Sequence, residues 1–183
     1  MNVLNTILIF AAAFLAVFGE AALPGLRHLL GAQVDLLPAI MVYAALNANV
    51  AVIAVLAVFG GLAFDSLSAN PLGITILPLF IAGFVIFSQR EFILRKLSFA
   101  QMVLGTVASA VVPVLTILFL LTAGKDPLLG WGSLWQWIVM TAGGAVATPV
   151  IFALFDWCGR AFGHPLRTET SFRPDREILR GRN

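Results

Sequence analysis

Six apolar runs separated by short polar turns leave this chain few ways to fold. They cover residues 3–18, 36–46, 50–64, 73–88, 99–123 and 134–155. A helix needs about 20 consecutive apolar residues to cross a bilayer, and several of these runs reach or approach that length. The alternative spanning solution, a β-barrel, needs polar and apolar residues in alternation along each strand. The run 50–64 shows none. Of the 183 residues, 60% are hydrophobic and 11% charged, far more apolar surface than a soluble domain of this size needs. The expected fold is all-α: a polytopic membrane bundle of about six transmembrane helices over residues 1–157, with a basic cytoplasmic tail over 158–183.

The bundle is organised around residues 60–73, Gly-Gly-Leu-Ala-Phe-Asp-Ser-Leu-Ser-Ala-Asn-Pro-Leu-Gly, a polar knot between two long apolar runs. Asp65 follows directly on the run that begins near Val50. An ionisable group at membrane depth is costly, so it marks a functional or bundle-locking position. Ala57, Gly61 and Asp65 fall at i, i+4 and i+8, on one helical face. Small residues on that face admit a second helix and turn Asp65 toward protein. Asn70 and Pro71 read as an N-cap and first helical residue opening the next helix.

The first run lacks a positive n-region and a small-x-small cleavage site, so it reads as a retained helix more than as a signal peptide. Residues 20–35 read as a mixed loop. The run 36–46 is short for a span; it could tilt, lean on neighbours or enter part way. Residues 47–49 form a tight polar turn. Pro78 sits early in the fourth helix, where it can kink the backbone. Residues 89–98 interleave Arg90, Arg95 and Lys96 with apolar side chains, as an interfacial anchor or a docking loop for a cytoplasmic partner.

On the fifth helix Gln101, Gly105, Ser109 and Pro113 form a small and polar stripe, with Thr116 close by. On the sixth, Gly143, Gly144, Ala145, Thr148 and Pro149 do the same. These stripes are packing faces, within the bundle or toward another membrane protein. Trp131, Trp135 and Trp137 at one end and Trp157 at the other mark two interfaces. From Trp135 to Trp157 is roughly 33 Å as a helix, which matches one crossing. The tail carries six arginines and reads as disordered or lipid-associated. Cys158 at the membrane edge is a lipidation candidate or an idle thiol.

Six spans place Arg90, Arg95, Lys96 and the tail arginines on one side, against Arg27 and Lys125 on the other. The positive-inside rule puts both termini in the cytoplasm and residues 65–72 outside. If the short second run does not span, the N-terminus moves outside but Asp65 stays. Several chemistries lack their residues. His28 and His164 have no metal-ligand spacing, one cysteine makes no internal disulfide, and no basic domain with stacking aromatics suggests nucleic acid. Ser66 and Ser68 lie beside Asp65 without a histidine or lysine base nearby in sequence. No cofactor motif is present. No repeat with matched broken helices is evident.

Residues 61–73, with Gly61, then Asp65 and Ser68, then Pro71 and Gly73, resemble the signature of the bacterial rod-shape-determining MreD family. The resemblance covers these thirteen residues specifically and the rest in length, hydropathy and topology; the arginine-rich tail is longer than usual for the family. It implies a non-enzymatic scaffold of the cell-wall elongation complex in the bacterial inner membrane. The implied partners are a single-span MreC-like protein and, indirectly, MreB, RodA and the elongation-specific penicillin-binding transpeptidase. Asp65, Gly61, Ser68, Pro71 and Gly73 then fix two helices to each other. Ala57, Gly105, Ser109 and Gly144 lie on helix faces that would bind partner helices. Members are also similar to the six-helix substrate-binding subunits of energy-coupling-factor vitamin transporters, which implies an alternative: a solute-binding subunit with Asp65 near its ligand.

Overall fold

The computed structural model describes residues 3–22, 31–68, 71–93, 97–125 and 130–162. These form six α-helices and, among the described residues, no strand: α1 Val3–Ala22, α2 Leu37–Asn47, α3 Val50–Leu67, α4 Ile76–Ser88, α5 Ser98–Thr122 and α6 Trp131–Phe162. Three of them, α3, α5 and α6, are long and apolar enough to cross a membrane. The apolar parts of α1, α2 and α4 are shorter. The chain is thus built as a helical membrane protein.

Three boundaries differ from the sequence reading. α1 continues to Ala22, so Glu20 is helical and not part of a loop. α4 begins at Ile76, after a turn over 72–75, so Pro71 does not open it. α6 begins at Trp131 and runs to Phe162, past the expected boundary at 157. Leucine, alanine and phenylalanine around Asp156 carry the helix on, with no proline to stop it. The Asn70 cap, Arg27, His28, Arg95, Lys96 and the tail from 163 lie outside the described residues.

α2 is the centre of the bundle. Every residue from Leu37 to Leu46 is buried. All five other helices pack around it. A helix that is apolar on every face is stable only when enclosed, which is why this short run needs no lipid-facing side. Its C-terminal half is held by aromatic stacking and hydrogen bonds. Tyr43 stacks on Phe155 of α6 at 4.1 Å between ring centroids and meets Phe152 edge-on at 5.0 Å. The Tyr43 hydroxyl donates to Asn5 Oδ1 of α1 at 3.3 Å.

The turn from α2 into α3 is tied to the end of α4. Arg90 donates through Nη1 to the carbonyl of Ala48 at 3.2 Å, while its guanidinium lies 4.1 Å from the centroid of the Phe87 ring. Arg90 is therefore a brace as well as a charge. Arg90→Gln is expected to lower stability by about 1–2 kcal/mol, from the lost carbonyl contact and cation–π attraction. Thermal unfolding of the detergent-solubilised protein checks it; an unchanged midpoint would show that Arg90 braces nothing.

Candidate functional site

The polar knot is a carboxylate clamp between α3 and α4. Asp65 ends the buried face of α3 together with Ala57 and Gly61, and is 1% exposed. Its Oδ2 accepts the Gly73 N–H at 2.9 Å and the Thr75 N–H at 3.1 Å. Its Oδ1 accepts the Thr75 hydroxyl in a short hydrogen bond. The first N–H groups of a helix have no partner inside it, and negative charge is favoured there by the helix dipole. Asp65 supplies both from ten residues upstream, so Thr75 caps α4 through Asp65 and not through its own side chain. This is also why α4 starts at Ile76: the carboxylate holds 73–75 in a turn, where Gly73 takes φ +88°, a left-handed conformation that glycine adopts without cost.

The other residues of the motif serve the same joint. A Cβ on Gly61 would stand 3.0 Å from both N and Cα of Ile76, so glycine lets α3 touch the start of α4. Ser68 closes α3, its N–H and hydroxyl both lying 3.3 Å from the Asp65 carbonyl. Pro71 is exposed and its carbonyl accepts the Ile74 N–H at 3.3 Å. Three donors of its own chain occupy the Asp65 carboxylate, which has about four acceptor positions in all. Asp65 is thus not presented to a solute.

The stripes on α5 and α6 meet each other. Gly105 of α5 faces Thr148 and the Gly144 carbonyl; Gly144 of α6 faces Ser109 and the Gly105 carbonyl. Thr148 is fully buried and donates to the Gly144 carbonyl at 2.8 Å. The Ser109 hydroxyl is buried against this seam without a hydrogen-bond partner. On α3, Gly60 lies against Leu37 of α2. The small-residue faces assigned to partner helices are thus closed inside the bundle, because two backbones that can approach so near do so within one chain first. Any partner must use other surfaces.

Comparison with family models, curated proteins and solved structures yields no match. No cluster of histidine, cysteine, aspartate or glutamate suited to a metal ion occurs among the described residues.

A second polar joint, at the start of α2, escaped the sequence reading. The stretch 31–36 is not helical, yet Ala32 and Asp35 are buried, and buried backbone groups must find partners. Side chains provide them. Gln136 of α6 accepts the Gln33 N–H at 2.9 Å and donates to the Gln33 carbonyl at 2.7 Å. Glu20 of α1 accepts the Leu36 N–H at 2.7 Å, and Asp35 accepts the Leu37 N–H at 2.8 Å. A usable signal was present: Asp35 stands directly before an apolar run, where an acid caps a helix. Glu20 and Gln136 gave none, because their partners are over a dozen residues away.

Proposed function

We propose that this chain is a non-enzymatic scaffold of the cell-wall elongation machinery in a bacterial inner membrane. It crosses six times, the second crossing made inside the bundle by α2 together with the buried stretch before it, has both termini in the cytoplasm, and binds a single-span protein of the MreC type. The observation that carries the reading is the use made of Asp65. In the stretch that resembles the MreD signature, the one acid is closed on donors of the turn that leads into α4, and the glycines, serine and proline around it serve the same joint. A motif of this kind builds a surface; it does not offer a reacting group. The basic residue Arg90 at the inner end of α4 agrees with the proposed orientation.

Because the α5–α6 seam and the α3 face are closed, the partner meets the outward faces of the bundle and the outer turn shaped by Asp65 and Gly73. Gentle solubilisation of native membranes, co-purification and mass spectrometry test the proposal. Recovery of an MreC-like single-span protein with wall-synthesis enzymes is the expected result. Recovery of ATPase subunits and a coupling membrane protein would overturn it in favour of the transporter reading.

A further inference from the structure

The joint at the start of α2 brings two acids together where the scaffold reading needs none. Glu20 comes from α1 and Asp35 from the stretch entering α2; each accepts a backbone N–H of consecutive residues, Leu36 and Leu37. Asp35 is 3% exposed. The two carboxyls therefore occupy adjoining sites on one buried stretch of backbone. Among the described residues, no cation is recorded against either. The other groups at the joint are the neutral amides Gln33 and Gln136. Arg27 and His28, the remaining ionisable residues near in sequence, lie outside the described residues.

Two carboxyls that share a buried place resist ionising together. With one of them protonated, the Leu36 N–H can bind Glu20 and the Leu37 N–H can bind Asp35 without repulsion. With both charged, the tie that holds α1 to the entry of α2 works against itself. Since Gln33 links the same stretch to α6, the strain falls on α1, the element joined to it by the Glu20 contact.

We propose that Glu20 and Asp35 form a proton-dependent latch, which holds the end of α1 against the entry of α2 while one carboxyl is protonated and releases it when both are charged. Burial pushes the Asp35 carboxyl up to about 6, above the ordinary carboxylate range. A group raised in the folded state adds stability that is present below its unfolded value and lost as pH climbs through the folded one. The first proton leaves as pH rises past about 6, with Asp35, and the latch still holds; it loosens only at higher pH, when the second carboxyl also ionises, in the direction opposite to that of an ion-paired acid.

The test uses the full chain in lipid nanodiscs. Cys158→Ala removes the single cysteine, and spin labels are placed at A22C on the end of α1 and L134C on α6, both exposed positions. Pulsed electron resonance measures the distance at about pH 5 and about pH 10, below the first ionisation of the pair and above the second. The expected result is one narrow distance at the lower pH and a longer, broader distribution at the higher. Glu20→Gln alone, and Glu20→Gln with Asp35→Asn, keep the acceptors but remove the repulsion, so both hold the narrow distance at either pH. The proposal is overturned if the parent shows no change with pH, or if the change persists in Glu20→Gln. It is equally overturned if His28→Gln abolishes the change with both acids intact.

Discussion

Asp65→Ala is expected to lower the stability of the solubilised protein by roughly 3–5 kcal/mol, a large effect for one side chain. Three buried or part-buried donors lose their acceptor at once: the N–H groups of Gly73 and Thr75 and the Thr75 hydroxyl. Each unsatisfied donor costs about 1–3 kcal/mol, less whatever water recovers at the turn. Asp65→Asn keeps an acceptor on one side but turns an amide donor toward other donors, so it recovers only part of the loss. Thr75→Val removes one of the three bonds and falls between the parent and the alanine variant. The midpoint of thermal unfolding, followed by tryptophan fluorescence, orders the three. An alanine variant that melts with the parent would show that the clamp holds nothing. Under the scaffold reading, the same variant loses partner recovery in proportion to its loss of folded protein.

The second large effect belongs to the seam between α5 and α6. Gly105→Val is expected to destabilise by roughly 3 kcal/mol or more, because its side chain must displace backbone as well as side chain. A first carbon there already stands 2.7 Å from Thr148 Cβ and closer still to the Gly144 carbonyl, which cannot rotate away. Gly144→Ala meets Ser109 Cβ at 2.5 Å and the Gly105 carbonyl at 2.9 Å, and should also be damaging. Gly19→Ala supplies the control. It sits within α1 with nothing within 4 Å of the added carbon, so it should be neutral or gain up to about 1 kcal/mol of helix propensity. If all three variants melt alike, α5 and α6 are not held by close backbone approach.

These residues also show what could be read from sequence. The apolar runs became helices because membrane segments must satisfy their own backbone, which ties hydropathy closely to structure. The face of Ala57, Gly61 and Asp65 was legible because its spacing lies within one helix. Which helix a small face meets was not, since Gly105 and Gly144 are 39 positions apart and either could have faced another protein. The start of α4 was misplaced for a related reason: Pro71 signals a helix locally, but Asp65 decides the matter from the end of α3. Glu20 was assigned to a loop because it is charged. The structure uses its carboxyl at a helix end, where it accepts the N–H that opens a different helix.

The enclosure of α2 has a consequence for how the chain is made. Its 11 residues rise only about 16 Å, roughly half the hydrocarbon thickness, and its buried sides have no claim on lipid. A segment of this kind is a poor substrate for insertion one span at a time, the route open to α3, α5 and α6. It reaches its place only as other helices gather round it, and α5 and α6, which form part of its wall, leave the ribosome well after it. Assembly of this bundle is therefore a collective event: its centre is synthesised before its walls and is completed only when α5 and α6 arrive.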